Sequence, residues 1–178
     1  MLKIILPPHL RPAKKVEDND EAYKTVFEEA VIISKMIKNG ECFVPGSKLT
    51  MAFALAQPQV SEHPLEYFVI NPALEELIKA FHGDVIINPK LISKDKLTRF
   101  MSKEGCLSYP YRPIKKVKRF EHIVVSYEVI SINDIIKSKG RETRKYVKKI
   151  PEIHLEGLPA VIFQHEFQHL RGNSIWEK

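Results

Sequence analysis

A histidine pair near the C-terminal end of the chain has the spacing of a metal-binding helix. His165 and His169 stand four residues apart within residues 164–172. On a helix over residues 158–170 their imidazoles would lie on one face, about 40° apart around the axis. Glu166 lies beside them, and in a His-Glu-x-x-His helix this carboxylate accepts a proton from water that the metal has acidified. The stretch therefore indicates a catalytic metal site, with a charged amphipathic helix as the alternative.

A third ligand must lie upstream, because a catalytic site of this kind needs three protein ligands and an open position. The chain has two cysteines, Cys42 and Cys106. Cys106 lies in Glu-Gly-Cys-Leu-Ser at residues 104–108. There glycine allows close backbone approach, and a thiolate would complete a Cys-His-His set for zinc or ferrous iron. Cys42 lacks such surroundings and is predicted to be a small apolar packing residue.

With these pieces in view, the chain resembles the peptide deformylase family, which carries three ordered motifs. The second, Glu-Gly-Cys-x-Ser, is intact at residues 104–108. The third, His-Glu-x-Asp-His-x-x-Gly, is kept at residues 165–172 except for Gln168. The first usually reads Gly-x-Gly-x-Ala-Ala-x-Gln, and residues 52–59 here read Ala-Phe-Ala-Leu-Ala-Gln-Pro-Gln. The resemblance runs from residue 10 to residue 172, and the three motifs together are far more specific than any one of them.

The resemblance implies hydrolysis of the formyl amide on N-formylmethionyl peptides of newly made proteins. It implies one divalent metal ion with three protein ligands, Cys106, His165 and His169. Glu166 would accept a proton and pass it to the leaving amine. The side-chain amide of Gln59 and the backbone N–H of Leu107 match the family positions that stabilise negative charge on the formyl oxygen. Iron is favoured as the native metal, and zinc, nickel and cobalt also suit these ligands.

Four positions depart from the family pattern: Ala52, Ala54, Gln57 and Gln168. Glycine permits positive φ and close ligand approach, so the two alanines predict a narrowed or reshaped peptide groove. Aspartate at position 168 could form a charge-assisted pair that Gln168 replaces with a neutral hydrogen bond, and Arg119 is the expected partner. These departures leave two alternatives open: a related hydrolase for another acyl-peptide, and a metal- or ribosome-binding protein without catalysis.

The composition favours a cytoplasmic protein with a basic surface. The net charge is +6 and the pI about 9.2, with basic residues gathered at 112–119 and 137–149. These clusters predict either a solvated surface or a transient ribosome contact, and no motif indicates sequence-specific nucleic-acid binding. No stretch is long enough to span a membrane. The two cysteines favour a reducing compartment, with an organelle or a viral host cytoplasm as alternative settings.

The remaining patterns predict the elements that must position the site. Helical spacing over residues 20–38, acidic at its start and basic at its end, predicts a first helix that Gly40 terminates. Gly157 and Pro159 introduce the metal helix. Strands are predicted at four segments: 66–71, 84–88 before Pro89, 120–132, and 144–155 after a connection around Gly140. The opening residues 1–6 are predicted to be an extended lead-in.

Together these elements predict a single α+β catalytic domain over residues 1–178. Antiparallel β-sheets are expected to pack around a central C-terminal metal-binding helix, as the resemblance implies.

Overall fold

The computed structural model describes residues 3–5, 10–47, 49–95, 97–138 and 143–176. Within them are four helices: α1 (Asp20–Lys38), α2 (Glu75–Phe81), α3 (Ile132–Ser138) and α4 (Gly157–Leu170). The same residues contain seven strands: β1 (Ala54–Ala56), β2 (Tyr67–Ile70), β3 (Val85–Lys94), β4 (Arg99–Glu104), β5 (Lys115–Phe120), β6 (His122–Ile130) and β7 (Lys148–Glu156). Two 3-10 turns complete the described elements, at Gln57–Gln59 and Thr143–Tyr146.

The strands form two antiparallel sheets. The larger sheet has the order β1-β2-β3-β6-β7, and the smaller one pairs β4 with β5. Strand β1 is therefore an edge strand of the larger sheet. Helix α4 contacts strands of both sheets, namely β1, β6 and β7 of the larger one and β5 of the smaller. The predicted α+β fold with antiparallel sheets around a C-terminal helix is confirmed.

The larger sheet separates two hydrophobic clusters. On β2, Tyr67 and Val69 belong to the cluster that includes the buried face of α1. The alternating residues Phe68 and Ile70 belong to the cluster that includes Phe163 of α4. Because successive strand side chains point to opposite faces, this alternation places α1 and α4 on opposite sides of the sheet.

Both predicted helices are present. Helix α1 begins where the Asn19 side chain accepts a hydrogen bond from the backbone N–H of Ala22, and Gly40 follows its end with a φ of 71°. Glycine adopts this left-handed conformation readily, which suits it to a helix terminus. Helix α4 begins at Gly157, with Pro159 in its first turn. Proline fits there because the first backbone N–H groups of a helix have no partner within it.

Several strand boundaries differ from the predictions. Strand β3 continues through Pro89 to Lys94, because a register shift between Ile87 and Lys90 accommodates the missing N–H of proline. The run predicted at 120–132 is interrupted after β5, and its last residue begins α3. The run predicted from residue 144 starts with a 3-10 turn, and β7 begins only at Lys148. Gly140 and residues 1, 2 and 6 of the predicted lead-in lie outside the described residues.

None of the helices in the described ranges combines the length and the apolar character needed to cross a membrane.

Candidate metal centre

Helix α4 and the loop after β4 bring three potential metal ligands together. The Cys106 Sγ lies 3.3 Å from the Nε2 of His169, which lies 3.2 Å from the Nε2 of His165. All three ligand atoms lie within 4.8 Å of one another. Cys106 and His169 are buried, and His165 is partly buried. The structure therefore places the three sequence-predicted ligands at one point between helix and loop.

The donor set and its surroundings fit a single divalent metal ion. A thiolate with two imidazoles suits zinc, iron, nickel or cobalt, so the chemistry of the set alone does not choose among them. Burial lowers the pKa of His169 well below its usual value, whereas for His165 burial is outweighed by the hydrogen bonds with Cys106 and Glu104, which raise the pKa to about 10. A metal ion that bound here would displace the proton from His165. Two buried polar atoms in the described residues have no hydrogen-bond partner, Nδ1 of His169 and Oε2 of Glu166, and both belong to this centre.

The loop that carries Cys106 packs against the Leu49 side chain at Gly105. A Cβ on Gly105 would lie 2.3 Å from Cδ2 of Leu49, which is far inside van der Waals contact. Glycine therefore lets the loop approach the segment around Leu49 closely, as the sequence predicted for this motif. The other cysteine, Cys42, is buried in the cluster on the α1 side of the sheet, in agreement with its predicted packing role.

A charged network holds the His165 ring in place. Nδ1 of His165 lies 2.8 Å from Oε2 of Glu104, and Arg119 binds both carboxylate oxygens of Glu104 at 2.7 and 2.5 Å. Burial would raise the pKa of Glu104, but the hydrogen bonds from Arg119 and His165 lower it to about 2. Arg119 also donates to Oε1 of Gln168 at 2.8 Å, so the predicted contact between these two residues is confirmed. A carboxylate on the far nitrogen of a ligating histidine fixes ring orientation and tautomer.

Glu166 and Gln59 approach the centre from two sides. Glu166 is buried, and burial raises its pKa to about 7. Gln59 is also buried; its Oε1 accepts from the backbone N–H of Ala56 at 3.0 Å, and its Nε2 donates to Oγ of Ser108 at 3.1 Å. Gln59 and Leu107 line one cavity with His165 and Glu166. The structure thus brings the predicted catalytic residues beside the predicted ligands.

This cavity has a volume of about 340 Å³, and two groups of residues, here called its two walls, line it. One wall comprises residues 49–54 and Gln59, and the other comprises residues 102–105, Leu107 and side chains from residues 158–166 of α4. Ala52 and Ala54 both belong to this lining. In the described residues, positive φ outside glycine occurs only at His82 and Asn88, so both alanines adopt ordinary backbone conformations. The two alanines therefore do not strain the chain, and the narrowed or reshaped groove stays a prediction.

Sequence reasoning missed two polar side chains that support the site. Gln164 joins α4 to the end of β5: its Oε1 accepts from the backbone N–H of Phe120 at 3.1 Å, and its Nε2 donates to the Phe120 carbonyl at 2.9 Å. Phe120 is the next residue after Arg119, so this contact joins α4 to the strand that carries the partner of Glu104. Glu29 of α1 binds the altered motif residue Gln57. Neither residue carries a local pattern that would have indicated its partner, because the partners are distant in sequence.

Comparisons with known proteins agree on one family. The model of the family described as polypeptide deformylase matches residues 7–150. A peptide deformylase of Aquifex aeolicus is 34% identical over 157 residues, which cover 86% of this chain and 79% of that protein. One from Limosilactobacillus reuteri is 32% identical over 126 residues, or 70% of this chain, and the match spans only 59% of the relative's own length.

The fold has counterparts among solved structures. The crystal structure of peptide deformylase from Thermotoga maritima superposes with a TM-score of 0.65 at 28% sequence identity. The superposition covers 98% of this chain and 95% of that one. It includes the region of α4, which lies beyond the residues that the family model matches.

Proposed function

Because this chain belongs to the polypeptide deformylase family, we propose that it is a metal-dependent hydrolase that removes the N-terminal formyl group from N-formylmethionyl peptides of newly made proteins. The reaction consumes one water and releases formate and a free amine. The observation that carries the proposal is the meeting of the Cys106, His165 and His169 ligand atoms beside the buried Glu166. Residues 1–178 would form one catalytic domain, because the segments that line the cavity gather around the single helix α4.

The proposed ligands of the metal are Cys106, His165 and His169. When bound, a divalent ion supplies Lewis acidity, which makes water acidic enough to lose a proton near neutral pH. Iron(II) is the proposed native metal, with zinc, nickel and cobalt as ions that the same donors accept. Glu104 and Arg119 would hold the His165 ring in one orientation.

Glu166 is the proposed proton carrier. A pKa raised to about 7 by burial lets its carboxylate take a proton from the attacking water and return it to the leaving amine. The unpartnered Oε2 is the atom available for this transfer.

Gln59 and Leu107 are the proposed donors to the formyl oxygen as it becomes negative. The Nε2 of Gln59 carries two hydrogens and donates one to Ser108, which leaves a second for the substrate. The backbone N–H of Leu107 would supply the other hydrogen bond. Loss of one such donor typically costs about 10²–10³ in rate.

The cavity suits an extended peptide that begins with methionine. Apolar side chains from α4 and from the opposite wall line it, among them Val161, Ile162 and Leu49. A flexible thioether side chain fits an apolar pocket of this kind. The edge strand β1 and strand β4 both reach the cavity, so a peptide between them could form backbone hydrogen bonds on either side.

The exposed face of the β4–β5 pair is the proposed ribosome contact. Lys103 and Lys116 are paired across the two strands, and Lys118 lies on the same exposed face. Like charges opposite each other are unfavourable in a sheet, and ribosomal phosphates would relieve the repulsion. We expect salt-sensitive co-sedimentation with ribosomes that charge reversal at Lys116 and Lys118 weakens and Lys35→Glu on α1 does not. Negligible or salt-insensitive co-sedimentation would contradict this contact.

The proposed location is the cytoplasm, which agrees with two unpaired cysteines.

The turnover of matched peptides tests which acyl group the protein removes. Formylated and acetylated versions of one methionyl tripeptide should differ, with the formyl peptide hydrolysed at least about 100-fold faster, because a methyl group must enter the space between the donors and the metal centre. Equal turnover, or faster turnover of the acetyl peptide, would favour the related hydrolase with another acyl-peptide substrate.

A further inference from the structure

Gln57, which replaces an alanine usual in the family, is part of a buried polar network. Its side chain is fully buried, with 0% of its surface exposed. Its Nε2 donates to Oε2 of Glu29 on α1 at 2.9 Å, and its Oε1 accepts from the backbone N–H of Leu65 at 2.7 Å. The side chain therefore ties the 3-10 turn Gln57–Gln59 both to α1 and to the chain just before β2.

Tyr67 completes the network from the sheet. Its hydroxyl donates to the same Oε2 of Glu29 at 2.8 Å, and its ring is fully buried among residues that contact α1. Burial and the neighbouring Glu29 carboxylate raise the pKa of Tyr67 well above its usual value, so the hydroxyl keeps its proton and remains a donor. Hydrogen bonds in such a low-dielectric interior are stronger than in water, and a satisfied network holds its members in one arrangement.

The same turn carries the proposed catalytic donor. Gln57 and Gln59 are separated only by Pro58, whose ring fixes φ, and the N–H of Val60 closes the turn on the Gln57 carbonyl at 2.9 Å. The two glutamine side chains have different partners: Gln57 reaches Glu29 on α1, and Gln59 reaches Ser108 in the loop after β4. A shift of the turn towards or away from α1 must therefore move the Gln59 amide within the site.

We propose that Glu29 and Gln57 are positioning residues, which act through the turn to aim the Gln59 amide at the formyl oxygen. The inference rests on the proposed function, and it extends the site across the sheet to α1. It also gives Gln57 a role. The Gln57 amide would anchor the wall of the cavity in which Ala52 and Ala54 replace the two glycines usual in the family.

Removal of the anchor should lower kcat more than it changes KM. Gln57→Ala restores the residue usual in the family and removes both hydrogen bonds of the side chain. Gln59 stays present but is less well placed, so we expect kcat to fall about 10-fold. This is less than the loss of about 10²–10³ in rate that follows removal of such a donor. The KM should stay within about twofold. Glu29→Ala should have a similar effect. The double variant should be no worse than either single one, since both changes break one connection.

Two further variants separate positioning from packing. Glu29→Gln keeps an oxygen that can accept from Gln57 and Tyr67, so it should restore most of the kcat lost in Glu29→Ala. Glu28→Gln is the matched control, because Glu28 is an exposed neighbour on the same helix whose contact is a 4.0 Å pair with Lys24. Its kcat should equal that of the unmodified protein. Metal content and melting temperature are measured for every variant, and rates are compared per bound metal.

The side-chain amide signals of Gln59 in a ¹H–¹⁵N spectrum give a readout that needs no turnover. They are assigned by their loss in Gln59→Ala. Gln57→Ala and Glu29→Ala should shift or broaden them, and Glu28→Gln should not. Unchanged Gln59 signals in both alanine variants would overturn the proposal, as would unchanged kcat per metal in an active protein. If the unmodified protein hydrolyses no formyl peptide, the proposed function fails and the spectra alone decide whether Glu29 and Gln57 position Gln59.

Discussion

The two walls of the cavity differ in how much of the family pattern they keep. The wall that includes Glu104, Leu107 and α4 belongs to the second and third motifs, which are intact except at position 168. Charged groups hold this wall in place: Arg119 binds Glu104, and Glu104 binds His165. The wall of residues 49–54 and Gln59 belongs to the first motif, which keeps Gln59 but has alanine at both glycine positions. Its anchor is the pair of contacts that Gln57 makes with Glu29 and Leu65.

The two walls show which groups take part in the proposed reaction and which groups only hold them in place. A thiolate, two imidazoles, a carboxylate and an amide have no substitutes in the proposed reaction, and all five are present. A glycine is needed only where a Cβ would collide or where φ is positive. A Cβ at Gly105 would displace the end of the Leu49 side chain, whereas Ala52 and Ala54 have ordinary φ and already carry a Cβ. The wall with the metal ligands is therefore expected to tolerate much less change than the wall with Gln59.

The largest effect is expected from Cys106→Ala. Loss of the thiolate leaves two imidazoles, which are too few for a catalytic site, so metal content should fall close to zero and formate release to the background rate. Cys42→Ala is the matched control, since Cys42 is also a buried, unpaired cysteine. Metal analysis after gel filtration checks the result, and full retention of metal by Cys106→Ala would refute the proposed ligand set.

The next effect concerns Glu104, whose pKa is lowered to about 2 from a usual value of 4.5. A lowered pKa means that the unfolded chain binds this proton more readily, so the carboxylate stabilises the fold above pH 4.5 and loses that contribution between pH 4.5 and 2. Glu104→Gln should lower the free energy of unfolding by about 3 kcal/mol at pH 7. The difference from the unmodified protein should shrink steadily below pH 4.5 in urea titrations with chelator present. A difference independent of pH would contradict the assignment.

A smaller effect is expected from Gln168→Asp, which restores the family residue beside Arg119. A charge-assisted hydrogen bond replaces a neutral one, so the free energy of unfolding should rise by about 1 kcal/mol, while metal content and kcat stay within about threefold. If stability, metal content and rate are all unchanged, residue 168 does not tune the site.

The smallest effect should come from the single variants Ala52→Gly and Ala54→Gly, each made alone. Each glycine adds backbone freedom to the unfolded chain, so stability should fall by about 0.4–1 kcal/mol per site. The KM for a formylated tripeptide should change by less than about threefold, because the alanine backbone is already unstrained. A turnover rate that instead rises by about an order of magnitude would show that the methyl groups obstruct the reaction.

The sequence predicted the helices with strong periodicity, and it predicted the three residues whose ligand atoms meet at one point. Helix α1 runs over the residues that its pattern predicted, because its apolar face, end charges and cap residues all agree. The metal helix was also predicted, since two histidines four apart define one face. Helices α2 and α3 have seven residues each, and strand β1 has three. Segments this short show too little periodicity to be recognised.

Most contacts between residues that are distant in the chain could not be predicted from the sequence. Arg119 was predicted to meet Gln168, but its bidentate contact with Glu104 depends on the pairing of β4 with β5. The contact between Gln57 and Glu29 joins positions 28 residues apart, and it arises because α1 packs on the sheet face opposite the metal helix. The strand through Pro89 was missed because a bulge, set by tertiary pairing, absorbs the proline.

Formate release from a short N-formylmethionyl peptide tests the central claim most directly. The protein is purified without oxygen, stripped with chelator and reloaded in turn with iron, nickel and zinc, beside a Glu166→Ala variant that retains its metal. We predict metal-dependent release by the unmodified protein and a rate about 10²–10⁴ lower for the variant. No release with any of the metals, from folded protein with bound metal, would contradict the assignment of a deformylase.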